Sequence, residues 1–152
     1  MARSSSIPER ALIASTPFGA HLGAERVAAA LARGVRAGGV PAPDVCALAP
    51  TEPLDEQLRA LHFDERMRDA RALVVAERAL AEPTLARTVA FELATRARQA
   101  GVPAYAVTAE NSLNAFDARM LDLQAVLQAN TAARLEAAGL RLAQLIGPAA
   151  WS

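Results

Sequence analysis

The chain has 152 residues, enough for one domain that buries about two-thirds of its unfolded surface and too few for two. Hydrophobic residues make up 53% of it, which excludes a disordered chain, and 16 basic residues balance 16 acidic ones, which excludes the clustered positive excess of a nucleic-acid binder. Every basic residue is arginine, so a P-loop lysine, a Schiff-base lysine and a lysine general base are all excluded.

Cys46 is the only cysteine, so no internal disulfide and no cysteine metal site is expected, and its apolar setting from Val45 to Leu48 reads as a buried small hydrophobe. Residues 1–10 are polar, with Ser4, Ser5 and Ser6 in a row, and read as a flexible N-terminus without the apolar centre of a signal peptide. Charged residues interrupt every apolar stretch before the roughly 18 residues of a membrane helix. No membrane partner and a cytoplasmic location are therefore expected.

Along the chain, Ala11 to Ala14 reads as a first buried strand stopped by Ser15, Thr16 and Pro17. A helix follows from Leu22 to Ala37, with Val27, Leu31 and Val35 on one face and Gly38-Gly39 as its stop. Val45 to Leu48 is the second strand, and Pro53 opens a helix carrying Leu54, Leu58 and Leu61. A charged helical segment from Asp64 to Arg71 leads into the third strand, Ala72 to Ala76. The loop after it ends at Pro83, and a helix from Thr84 to Ala100 carries Leu85, Val89, Phe91 and Leu93, with Gly101 beyond its end. Ala104 to Val107 is the fourth strand, Ser112 caps a short helix through Met120, and Leu123 to Leu127 is the fifth strand. A last helix starts at Asn130, carries Leu135, Leu142 and Leu145, and stops at Gly147-Pro148.

Five short apolar runs separated by helices predict a single α/β domain over 11–148, with a tail over 149–152. Its expected architecture is a doubly wound, flavodoxin-like or Rossmann-like, five-stranded parallel sheet with helices on both faces and strand order 2-1-3-4-5. That order puts the switch point between strands one and three, so a ligand is expected over the loops Ser15–Leu22 and Glu77–Pro83. Within those loops and the one after strand four, Ser15, Thr16, His21, Glu77, Arg78, Glu82 and Asn111 are the candidate ligand-binding residues. His21 and His62, the only histidines, stand too far apart in sequence for a metal motif, and no metal site is expected.

The run ALIASTPFGAHLGAERVAAALARG over 11–34 resembles the opening of bacterial two-domain glycerate kinases, approximately I-A-P-D-S-F-K-G-S-L-S-A-x-x-V-A-x-A-I-x-x-G. The segment over 72–82 is similar to that family's A-D-L-V-I-T-G-E-G-R-L-D, and 98–107 to its R-x-x-G-V-P-V-x-A-L. Phe18, Leu22, Ala24, Val27 and Gly34 match, whereas Thr16 stands for Asp, Gly19 for Lys, Ala20 for Gly and His21 for Ser. The family's glycine loops correspond to Ala49 to Asp55 and to Ala76 to Ala79, both without glycine, and Glu82 stands where the family has Asp.

The resemblance implies a shortened relative without the inserted second domain. It also implies that kinase activity is lost, leaving no catalytic residue, no cofactor and a role in binding a small organic acid, an anion or a protein. The alternative it leaves is an active glycerate kinase, a small phosphotransferase using ATP and Mg. Missing cover from a second domain further suggests a homodimer through Leu54, Leu58, Leu61, Phe63 and the tail ending at Trp151.

Overall fold

The computed structural model describes residues 8–81 and 88–147. Apolar runs form the strands where expected: β1 (Ala11–Ser15), β2 (Asp44–Ala47), β3 (Ala72–Ala76), β5 (Ala104–Thr108) and β7 (Leu123–Gln128). They pair in parallel in the order β2-β1-β3-β5-β7, which is the expected doubly wound sheet. Ile13 lies between Val45 and Val74, and Val74 pairs with Tyr105. A second, two-stranded parallel sheet joins β4 (Ala79–Leu80) to β6 (Glu110–Asn111) just beyond the ends of β3 and β5.

Side chains leave a strand alternately on its two sides, so a sheet with helices on both faces needs apolar residues at every position. Ile13, Val74, Tyr105 and Val107 face one layer, formed by α1 (Ala24–Ala37) and α6 (Ala132–Ile146). Leu12, Ala14, Leu73, Val75 and Cys46 face the other. That second layer is built by α2 (Leu54–Ala60), α3 (Phe63–Arg68) and α4 (Val89–Ala100). Leu58 and Phe63 are sealed within it and Leu54 and Leu61 pack against it, so these four residues cover the chain's own sheet. The short helix α5 (Ala115–Met120) lies against β7.

Local signals explain most helix ends. Gly101 stops α4 in the left-handed conformation, φ 73°, that a glycine adopts without steric cost. α5 is capped by the Asn114 side chain and α6 by that of Thr131, each accepting a backbone N–H from the first turn. The expected caps Ser112 and Asn130 miss by one or two positions, because both loops offer several side chains of similar capping ability. Glu82, Pro83, Leu85, Trp151 and the N-terminal serines lie outside the described residues. Among the described residues no helix is long and apolar enough to cross a membrane.

The two helices on the first face meet backbone to backbone. A Cβ on Gly34 would sit 1.9 Å from the Glu136 carbonyl oxygen, and one on Gly139 would sit 2.2 Å from that of Leu31. Neither oxygen can move aside, since each belongs to a helix. Gly34→Ala and Gly139→Ala should therefore each cost about 3 kcal/mol, the upper part of the usual overpacking range. Urea unfolding followed by circular dichroism measures this, and a loss below about 0.5 kcal/mol, the scatter of an ordinary surface substitution, would show that the helices can part without penalty.

Candidate functional site

The crevice over the C-terminal ends of β1 and β3 is closed by its own residues. Ser15 is fully buried, and its hydroxyl donates to the Ala24 carbonyl at 2.8 Å, tying the strand end to the start of α1. The Thr16 hydroxyl donates to the Ala76 carbonyl at 3.0 Å, and the Thr16 N–H donates to the same oxygen. Phe18 and Leu22, brought together by a Phe18 N–H to Leu22 carbonyl bond of 2.8 Å, turn inward and join the core. His21 is left on the surface, where its carbonyl accepts from the Arg26 guanidinium.

On the β3 side, Glu77 reaches sideways rather than into the crevice. Its two carboxylate oxygens accept the N–H groups of Val89 and Ala90 at 3.2 and 2.8 Å. These are orphan donors of the first turn of α4, where an anion is favoured by the helix dipole. The chain's own carboxylate thus holds the position that a bound anion would take. Burial pushes the Glu77 carboxyl above its ordinary range, while the two N–H bonds oppose the shift.

The neighbouring candidates serve the small β4–β6 ladder. The Arg78 carbonyl accepts from the Thr108 hydroxyl and from the N–H groups of Ala109 and Glu110, and its guanidinium pairs with Glu110 at 3.3 Å in an exposed position. The Asn111 side chain accepts the Leu113 N–H and shapes the turn into α5. Ser15, Thr16, Glu77 and Arg78 are therefore brought to one end of the sheet, but their polar atoms are bonded to the scaffold. Glu82 lies outside the described residues.

A cavity of about 530 Å3 lies between α2, α3 and α4, lined by Asp55, Asp64, His62, Arg59 and Arg96 among others. Arg96 is saturated there, bonding Glu92 at 2.8 Å, Asp64 at 3.0 Å and Asp55 at 3.3 Å. This is a strut between three helices. Among the described residues no group of three or more His, Cys, Asp or Glu is placed to hold a metal ion.

At the opposite, N-terminal end of the sheet a cavity of about 450 Å3 has a different character. Arg68, at the end of α3, and Arg71, just before β3, stand on its wall, and no carboxylate of the described residues lines it. Ala72, Val102, Pro103 and Ile146 supply apolar surface. Tyr105 also lines it, only 8% exposed, and among the described residues nothing hydrogen-bonds its hydroxyl. Burial raises the Tyr105 phenol above its ordinary range, with Arg71 pulling the other way, so the hydroxyl stays a proton donor at neutral pH. Arg71 donates to the Ile146 carbonyl at 3.3 Å and so also closes the end of α6.

The sequence reading passed over Arg68, Arg71 and Tyr105 because they come from separate elements and meet at the end of the sheet where ligands are not expected. The available signal was Tyr105 itself, a hydroxyl inside the otherwise apolar strand Ala104 to Val107.

Among solved structures, the crystal structure of the flavodiiron protein from Giardia intestinalis is similar to this chain, with a TM-score of 0.50 and 18% identity. The likeness covers 93% of this chain and 36% of that one, so this chain spans about a third of the length of that protein. No family model matches, and no curated protein matches. The expected kinship with glycerate kinases, as a shortened relative with lost activity or as an active kinase using ATP and Mg, is therefore corrected: the structural likeness is to a flavodoxin-like domain of a flavodiiron protein. The matched scaffold positions have a simpler physical cause, since Phe18, Leu22, Ala24, Val27 and Gly34 are buried positions that any such βα unit needs to pack. The same likeness leaves the expectation of no cofactor without support.

Glu77 gives a signed pH dependence. A carboxyl whose folded pKa is raised holds its proton more tightly in the folded chain than in the unfolded one. Its stabilising contribution is then largest below about pH 4.3, the ordinary glutamate value, and falls as pH rises through the folded pKa. Glu77→Gln should abolish that slope: the stability of the parent relative to the variant declines from about pH 4.3 upward and levels off once Glu77 is ionised. Urea unfolding at a series of pH values reads it, and a relative stability that rises with pH would mean that the helix N-terminus outweighs burial.

Proposed function

We propose that this chain is a binding domain for a small organic anion, held in the cavity at the N-terminal end of the sheet. The observation that carries the reading is the convergence of Arg68, Arg71 and the Tyr105 hydroxyl on a cavity that no carboxylate of the described residues lines. The Tyr105 hydroxyl faces the cavity, where it can donate to an incoming acceptor. The apolar wall favours an anion with a hydrocarbon body over a bare inorganic ion, and the volume lies in the usual range of about 300–1,000 Å3 for small-molecule sites.

In this mechanism Arg71 forms the ion pair on the sheet side, Arg68 closes over the anion from the rim, and Tyr105 donates a hydrogen bond that fixes its orientation. Arg68 is exposed, so its share of the binding energy is the smaller.

A second reading, a flavin in the switch-point crevice, rests on the fold shared with the flavodiiron protein. The crevice residues do not fit its phosphate: the Ser15 and Thr16 hydroxyls are bonded to backbone carbonyls, and Phe18 and Leu22 fill the loop from within.

Titration with benzoate, citrate and inorganic phosphate, followed by amide NMR shifts, tests the first reading. Benzoate should shift the Val102 and Tyr105 amides with a Kd at or below about 1 mM, and Tyr105→Phe should weaken it about tenfold, the worth of one hydrogen bond to a charged group. Arg68→Met should weaken it less. Undisturbed amides at about 10 mM of every probe, ten times that Kd, would sink the anion reading. Flavin mononucleotide added in parallel should keep its free fluorescence, and quenching at micromolar concentration would favour the second reading instead.

A further inference from the structure

The two edges of the main sheet are treated differently. At the β2 edge, the Arg66 side chain lies along the strand. Its guanidinium donates to both carboxylate oxygens of Asp44, at 2.6 and 2.8 Å, and to the Val45 carbonyl at 2.9 Å. A backbone acceptor is thus consumed and a charge is fixed where another strand would have to dock, a usual defence of an exposed edge. Arg66 also holds the Leu61 carbonyl, so the cover is anchored to the second layer.

Among the described residues the β7 edge has no such cover. Its six residues, LQAVLQ, include no charge and no proline, and among the described residues its backbone pairs on one side only, with β5. Ala129 donates its N–H to the Thr108 carbonyl, and Leu127 pairs with Val107. Backbone groups alternate in direction along a strand, so the amides of Val126 and Gln128 point away from the sheet. Beside this edge, α5 presents Phe116 and Met120, 61% and 57% exposed and one helical turn apart on the same face. Large apolar side chains that exposed, next to an unprotected strand, form the sort of patch that marks an interface.

We infer that β7 is the pairing edge for a second copy of this chain: two β7 strands meet antiparallel across a two-fold axis, and Phe116 and Met120 of each copy cover the seam. Two features select a second copy over an unrelated partner. An uncharged strand meets itself without repulsion, and the whole chain carries a formal net charge of zero, so two copies approach without a long-range penalty. A two-fold axis also satisfies both open edges at once and closes the assembly, leaving only the two protected β2 edges outside. The surface differs from the one expected from sequence, because Leu58 and Phe63 are sealed in their own subunit.

Hydrogen exchange on the full chain, read by NMR at about 10 μM and about 500 μM and paired with light scattering, bears directly on the seam; the range spans the weak affinities of transient dimers. The expected result is twice the single-chain mass at the higher concentration, with Val126 and Gln128 amides protected at least tenfold more there than at the lower. Gln124→Lys and Phe116→Glu, both at exposed positions, should each shift the midpoint of association at least tenfold and leave the unfolding midpoint at about 10 μM unchanged. A single-chain mass at both concentrations overturns the inference. So does a dimer whose Val126 and Gln128 amides still exchange freely, or one indifferent to both substitutions.

Discussion

The close approach of α1 and α6 is the constraint on which the rest of the fold depends. Both helices cover the same face of a five-stranded sheet, and Gly34 and Gly139 let their backbones touch where any side chain would hold them apart. With the helices that close, Val27, Leu31, Leu135 and Leu142 can all reach the sheet and be sealed against Ile13, Val74 and Val107. A wider seam would admit water above the central strands, whose apolar residues are buried on both sides and so depend on both layers. The exposed Arg33–Glu136 pair, at 3.1 Å, lies along this seam and contributes little beside the packing.

The polar groups of the chain are committed mainly to scaffolding, and this decides where binding chemistry is available. At the C-terminal end of the sheet, hydroxyls and a carboxylate answer backbone groups: Ser15 answers Ala24, Thr16 answers Ala76, and Glu77 answers the first turn of α4. Between the helices of the second layer Arg96 is shared among three carboxylates. At the N-terminal end Arg68, Arg71 and the Tyr105 hydroxyl share a cavity that no carboxylate of the described residues lines. The usual rule that ligands bind outside the carboxyl ends of the strands describes where such folds leave backbone donors open. Here the side chains have closed that end.

The strands were legible because burial on both faces writes them as continuous apolar runs, and Ala72 to Ala76 and Ala104 to Val107 show this without ambiguity. Their order followed from the helical crossovers. The ladder of Ala79–Leu80 with Glu110–Asn111 was not legible, since two residues on each side carry no periodicity. His62 gave no warning of its left-handed backbone, φ 54°, because that conformation is imposed by the tight turn between α2 and α3 rather than by the residue. The candidate residues of the crevice were placed at the right end of the sheet, yet sequence does not reveal whether a hydroxyl points toward a ligand or toward a carbonyl one strand away. The resemblance to a kinase family rested on scaffold positions, which similar βα units share for reasons of packing alone.

The seam between α1 and α6 also sets a timetable. Its partners Arg33 and Glu136 lie 103 residues apart in sequence, so the face that α1 begins to cover cannot be completed until α6 has been made. At roughly 5–20 residues per second of synthesis, that interval is on the order of 5–20 s. Throughout it Val27, Leu31 and Val35 have an incomplete layer beside them, and the nascent chain presents to the cell an apolar surface that the finished molecule hides. Long-range closure of this sort is slow to form and exposed to aggregation while it waits. The glycines that let the finished helices touch therefore bind the protein's yield to the emergence of α6, and a chaperone that shields α1 in the meantime would act on a surface that no longer exists in the folded state.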